Sequence, residues 1–72
     1  MDIILLDGNP LTLTETQVAN TEFQRGLQMA IRENRGPSMS DNFTEAAWIG
    51  NWTGFGMHCN RSATEVRKAL GE

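Results

Sequence analysis

The stretch from Thr14 to Asn34 constrains this chain most, because its apolar residues have the spacing of a long amphipathic helix. They recur at steps of three and four and fall on one stripe of a 3.6-residue period: Ala19, Phe23, Gly26, Leu27, Ala30 and Ile31. Thr14, with Gln17 three residues later, predicts a capping-box start, and Gly36-Pro37 predicts a left-handed C-cap and a stop. A second start at Asn20-Thr21 leaves the first turn open. We expect the rest of the chain to pack against this helix.

The residues before this helix have the pattern of a short β-hairpin. The apolar run DIILLD at 2–7 leads into an Asp7-Gly8 turn, and LTLT at 11–14 alternates apolar and hydroxyl side chains. Pro10 confines the second strand to an edge or a start position. Because residues 3–6 are all apolar, the sequence does not decide which face of the hairpin is covered, and an outside chain is a candidate to cover the second face.

A second, shorter helix is expected after Gly36-Pro37. It has Asp41 or Asn42 as N-cap and ends at Gly50. Residues 50–56, GNWTGFG, hold three glycines, each of which weakens a helix by about 1 kcal/mol, so they predict a tight, aromatic-rich turn. The helical spacing of the aromatic residues leaves a longer helix open as the alternative.

The last helix is expected to begin at Ser62, where SATE forms a capping box. Ala63, Val66 and Leu70 would form its buried stripe and Gly71 would close it. Together these elements predict an α+β fold that is mostly α. The N-terminal β-hairpin is followed by three helices, one long and two short, in a helix-turn-helix-like arrangement within one domain of residues 1–72.

Size, charge and cysteine content restrict the environment of the protein. A chain of 72 residues buries only about 60% of its unfolded surface, so an oligomer or a partner would add needed stability. The net charge of −3 argues against nonspecific adsorption to nucleic acid or membranes. The single cysteine, Cys59, excludes an internal disulfide, and with no apolar signal segment at the start it predicts a cytoplasmic protein.

The C-terminal residues carry the side chains that a DNA-reading helix needs: Arg61, Thr64, Arg67 and Lys68. Arginine suits guanine and lysine suits phosphate. The other interpretation is a solvated helix face whose cations complement the negative C-terminal end of the helix dipole.

Several residues, in chain order, resemble the DNA-binding domain of OmpR-type response regulators. They are Glu22-Phe23, Gly36, Ser40-Asp41, Trp48 with Gly50, and the closing residues VRKALGE at 66–72. That domain is a winged helix-turn-helix whose last helix enters the major groove, so the resemblance implies that residues 62–70 read DNA. Residues 1–72 contain no counterpart of the family's wing or receiver domain, and its four-stranded N-terminal sheet is reduced to at most one hairpin.

Four apolar residues form the feature that the capping and turn patterns do not explain: Trp48, Trp52, Phe55 and Met57. They are either the lid of the core or a patch that binds a partner. Large, stiff aromatic side chains on a small surface bind efficiently because they lose little conformational entropy.

No pattern in the chain predicts catalysis. His58 and Cys59 are adjacent, which is poor geometry for a nucleophile pair, and no second Cys or His completes a zinc site. The glycines follow no phosphate-binding motif, and capping accounts for the carboxylates. We therefore expect a protein that is not an enzyme, with no cofactor, no metal and no small-molecule substrate.

Two functional hypotheses follow. The first is a non-enzymatic interaction module that binds another protein, or itself as a homodimer, through the aromatic residues and the hairpin. In style it resembles the small accessory and inhibitor proteins of phages and mobile elements. The alternative is a helix-turn-helix-like DNA-binding regulator that uses the 62–70 helix.

Overall fold

The structure, a computed structural model, describes residues 1–58 and 63–71. Its elements in chain order are β1 (Asp2–Ile4), β2 (Pro10–Thr12), α1 (Glu15–Ala19), α2 (Thr21–Glu33), a 3-10 turn (Met39–Asp41), α3 (Glu45–His58) and α4 (Ala63–Ala69). The predicted fold class is confirmed, because an N-terminal hairpin precedes a set of helices and the protein is mostly α. Within the described ranges, no helix has the length and apolar character needed to cross a membrane.

The hairpin is antiparallel, with Ile3 opposite Leu11. Its turn closes through a 3.1 Å bond from the Leu5 amide to the Asn9 carbonyl, and Gly8 adopts a φ of +82°. Side chains alternate along β1 and the turn, so Leu5 is buried whereas two neighbours face outward. These are Ile4, 58% exposed, and Leu6, 49% exposed. The structure thus settles which face is covered and leaves the other apolar face open.

The long helix predicted from Thr14 is interrupted at Asn20. Thr14 and Gln17 form the predicted capping box and start α1. Asn20 is extended, with φ −65° and ψ 130°, and its side chain accepts hydrogen bonds from the amides of Glu22 and Phe23. The prediction of a single helix was therefore wrong and the alternative start is confirmed. An asparagine side chain satisfies the free amides of a new helix, and so competes with continuation of the old one.

The C-terminal end of α2 also differs from the prediction. Asn34, not Gly36, takes the left-handed conformation, with φ 56° and ψ 44°. Asparagine visits this region more readily than other residues with a side chain. Gly36 serves a different purpose, because a Cβ there would lie 3.3 Å from the ring of Phe55. The loop after α2 therefore lies directly against α3.

The predicted turn at residues 50–56 is wrong, because α3 continues through its glycines to His58. A Cβ on Gly50 would overlap the Phe23 carbonyl, and a Cβ on Gly26 would overlap the Ala47 carbonyl. The glycines therefore permit α2 and α3 to cross at very short distance. This packing outweighs the local cost of about 1 kcal/mol per glycine, since most helical stability in proteins comes from tertiary contacts.

The start of α3 lies later than predicted. The Thr44 hydroxyl accepts a 3.2 Å hydrogen bond from the Ala47 amide and caps the helix. Neither residue predicted as the N-cap has that role. Asp41 belongs to the 3-10 turn, and Asn42 ends that turn in the left-handed region with φ 53°.

The core lies between the hairpin, α2, α3 and α4. The Leu6 amide donates a 3.0 Å bond to the Gly56 carbonyl, which ties the hairpin turn to α3. The buried apolar residues of this core are Leu5, Leu11, Leu13, Phe23, Ala63 and Val66. On α4 the predicted stripe is confirmed, with Leu70 partly buried against the core, and Gly71 has a φ of +86°. Ser62, the predicted cap of α4, lies outside the described residues.

Candidate protein-binding surface

Three aromatic side chains form a row along one side of α3. Because this segment is helical, Trp48, Trp52 and Phe55 share a stripe. Each neighbouring pair meets edge to face, with ring centroids 6.1 Å and 5.8 Å apart. Trp52 and Phe55 are partly buried against the core, whereas Trp48 is 37% exposed. The row therefore runs from the core out to the surface.

Met57, the fourth residue of the predicted patch, lies elsewhere. It follows Trp48 by nine positions, and at about 100° per residue this places it on the opposite side of α3. Its side chain is partly buried against the core. The structure thus brings together three of the four predicted residues.

The exposed end of the row forms one wall of a cleft with a volume of about 390 Å³. The other wall comes from the segment between α2 and α3. The lining residues are Pro37, Ser38, Met39, Asn42, Phe43, Trp48 and Trp52. We call the apolar members of this set, Pro37, Met39, Phe43, Trp48 and Trp52, the Met39 face. Sequence reasoning assigned neither Met39 nor Phe43 to a binding surface.

Met39 is fully exposed, at 101% of its reference area, on a turn held by side-chain hydrogen bonds. Asp41 accepts a 2.7 Å bond from the Ser38 amide, and Ser38 Oγ accepts one from the Ser40 amide. This Ser-x-x-Asp pattern is a capping box, and it was the sequence feature that could have located the turn. The turn therefore holds Met39 in place without burying it.

Arg35 also stabilises this turn through hydrogen bonds. Its guanidinium donates two hydrogen bonds to the Asp41 carboxylate, at 2.9 Å and 2.7 Å, and a third to the Gly36 carbonyl at 2.9 Å. The bonds from Arg35, and then that from the Ser38 amide, lower the pKa of Asp41 to about 2. Only 6% of the Asp41 side chain is exposed. Bidentate pairs of this kind fix geometry as well as charge, so the turn is preorganised.

The cleft itself is uncharged, because none of its lining residues carries a formal charge. Two ion pairs lie near it, and one of them is the Arg35–Asp41 pair. Arg25 bonds to Glu22 at 2.9 Å and lies 5.5 Å above the Phe43 ring. An approaching chain would meet apolar and neutral polar groups, with ion pairs at the margin.

The residues of the DNA-reading alternative are placed differently. Arg67 turns toward the hairpin, where it bonds to the Asp7 carboxylate at 3.0 Å and to the carbonyls of Asn9 and Pro10 at 3.0 Å and 2.9 Å. The bond from Arg67 is the largest influence that lowers the pKa of Asp7. Thr64 and Lys68 are exposed, and Arg61 lies outside the described residues. The described members therefore do not form one outward-facing group.

Of the two residues considered for nucleophilic chemistry, the structure describes only His58. His58 is exposed at the end of α3, and Cys59 lies outside the described residues. Among residues 1–58 and 63–71, no three His, Cys, Asp or Glu side chains come together as a metal site.

A second apolar surface lies on the outer side of the hairpin. It consists of the exposed side chains of Ile4 and Leu6. Unlike the Met39 face, it contains a carboxylate, because Asp2 lies two residues before Ile4 on the same face of β1, where it bonds to the Thr12 hydroxyl.

Comparison of the chain with family models, with curated proteins and with solved structures finds no match.

Proposed function

We propose that this protein is a non-enzymatic interaction module that binds another protein chain through the Met39 face and acts in the cytoplasm as a small accessory or inhibitor protein. One observation carries the proposal. Met39 is fully exposed on a turn that is held by the hydrogen bonds of Asp41, beside a cleft lined by two tryptophans.

Free-energy considerations support this function. An apolar side chain that buries no area contributes nothing to folding through the hydrophobic effect, so Met39 gains such a contribution only in a complex. A preorganised turn lowers the entropy lost on binding. Methionine adapts to many apolar surfaces and makes favourable contacts with aromatic rings, and tryptophan is among the residues that contribute most at interfaces.

A variant series tests the proposal. Immobilised wild-type protein is used to capture partners from the source cells, and each captured protein is purified and titrated against wild type, Met39→Ser, Trp48→Ala and Leu6→Ser. Leu6 is the matched control, since it is an exposed apolar residue on the other surface. We expect the first two variants to weaken binding at least about tenfold, which is about 1.4 kcal/mol. Equal binding by all four proteins would contradict the proposal.

The DNA-binding alternative remains a hypothesis, supported by the resemblance of residues 66–72 and by the exposure of Thr64 and Lys68. The contacts of Arg67 with the hairpin weigh against it, because direct readout needs a guanidinium that is free to reach a base edge. A gel-shift experiment at low salt with wild type and Lys68→Met separates the two. A sequence-dependent shift that Lys68→Met weakens would favour the regulator.

A further inference from the structure

We infer that the chain recognised by the Met39 face is a second copy of this protein, bound across a two-fold axis. The inference rests on the proposed function, because it names the partner of that same surface. Three observations support it: the shape of the face, the charges around it and the small surface of the whole protein.

The shape is self-complementary. A two-fold interface uses the same patch on both copies, so the patch must carry both a projection and the cavity that receives it. Met39 is the projection, with its whole side chain exposed, and the cleft between Phe43 and Trp48 lies in the same face. Across a two-fold axis, each Met39 can enter the cleft of the other copy. There its thioether would contact aromatic rings, an arrangement that methionine favours.

The charge distribution favours the Met39 face over the outer face of the hairpin for contact between identical chains. Each copy carries a net charge of −3, so two copies repel each other on average. The lining of the cleft carries no formal charge, and two ion pairs lie near it, Arg25 with Glu22 and Arg35 with Asp41. On the outer face of the hairpin, by contrast, a two-fold contact would bring together two Asp2 carboxylates.

The small surface of the whole protein predicts a weak dimer. The free chain exposes 4494 Å², and a protein interface uses about a tenth of a small protein's surface, or roughly 450 Å² per copy here. The total would then lie below about 1,200 Å², the range of weak and transient complexes. Dimers should therefore form at high protein concentration and dissociate on dilution.

Sedimentation equilibrium tests the inference. The wild-type protein is measured from about 10 μM to about 1 mM, the range in which weak contacts dissociate. We expect the average mass to rise with concentration from 8.0 kDa toward the mass of two chains. Met39→Ser and Trp48→Ala should shift the dissociation constant upward at least about tenfold, whereas Leu6→Ser should match wild type. Circular dichroism of each variant shows that it is folded.

Two results would overturn the inference: a wild-type mass that stays at 8.0 kDa over the whole range, or a dimer that Leu6→Ser abolishes and Met39→Ser preserves. Failure of the inference is distinguishable from failure of the proposed function. A monomeric wild type that binds a captured protein through Met39 overturns the homodimer alone. A monomer whose captured partners bind all variants equally overturns both.

Discussion

At the scale of single residues, the fold depends on glycines at the crossing of α2 and α3. Gly26 and Gly50 lie against the carbonyls of Ala47 and Phe23, and a Cβ on Gly54 would lie 2.7 Å from the Leu27 carbonyl. The short distance also allows Asn51 to donate a 2.9 Å hydrogen bond to the Gly26 carbonyl. The absence of three side chains thus positions the helix that carries the aromatic row.

Replacement of Gly50 by alanine should destabilise the protein. Alanine favours an isolated helix over glycine by about 1 kcal/mol, but its Cβ would overlap a backbone carbonyl that no rotamer change can move. We expect a net loss of about 1–3 kcal/mol in the free energy of unfolding, typical of overpacking, measured by urea denaturation. Gln28→Ala, at an exposed position of α2, is the control and should change stability by less than about 0.5 kcal/mol. A more stable Gly50→Ala variant would contradict the close crossing.

These glycines also explain why the sequence pattern of residues 50–56 predicts a turn where the structure has a helix. The penalty of a glycine in a helix is a local quantity that a sequence displays. The stabilisation that outweighs this penalty comes from packing of the helix against Phe23, about 27 positions earlier in the chain. A local sequence pattern does not reveal that contact. The same sequence did display the aromatic spacing of Trp48, Trp52 and Phe55, which was compatible with the helix that the structure shows.

At the scale of elements, two turns are held by arginine. Arg35 fixes the Met39 turn through Asp41, and Arg67 fixes the hairpin turn through Asp7. Sequence patterns identified the hairpin and the capping box of α1 because both are local. They did not identify either arginine contact: the first pairs residues six positions apart in a nonhelical segment, and the second pairs residues 60 positions apart.

The Asp41 contact should make stability depend on pH in the acid range. Its pKa is about 2 in the folded protein, against about 3.9 for a free aspartate. The stabilisation is therefore fully present above about pH 4 and is lost as the pH falls toward 2, since the unfolded chain takes up the proton first. Thermal unfolding followed from pH 7 to 2 should show a shallower acid decline for Asp41→Asn, which starts from a lower midpoint at pH 7. Parallel declines in the two proteins would refute this role.

The Arg67 contact should control the opening of the hairpin turn. Arg67→Met removes the bonds to the Asp7 carboxylate and to the carbonyls of Asn9 and Pro10. We expect faster hydrogen exchange at the turn amides of Leu5 and Gly8, measured by NMR. Lys68→Met, the adjacent exposed cation, should leave those rates unchanged. If both variants exchange like wild type, Arg67 does not hold the turn.

At the scale of the whole molecule, α3 is the central element. Its glycine side meets α2, and Gly56 meets Leu5 of the hairpin and Val66 of α4. The remaining side carries the aromatic row, of which only Trp48 reaches the surface substantially. Sequence reasoning found the aromatic residues because they are rare and regularly spaced. It could not find the opposing wall of the cleft, which exists only because the Met39 turn folds back toward α3.

The two tryptophans should therefore respond differently to a soluble quencher. Trp48 is 37% exposed, whereas the Trp52 indole nitrogen is buried. At low micromolar concentration, iodide should quench the emission of Trp52→Phe, in which Trp48 remains, far more than that of Trp48→Phe. Equal quenching of the two variants would show that the row does not run from the core to the surface.

The central claim is that the Met39 face is where this protein meets another chain. Site-specific photo-crosslinking in living source cells tests it most directly, with Met39 replaced by benzoylphenylalanine in one variant and Leu6 replaced in a control. We expect discrete protein adducts from position 39, whether with a second copy or with a different protein, and few or none from position 6. Adducts from position 6 together with none from position 39 would contradict it.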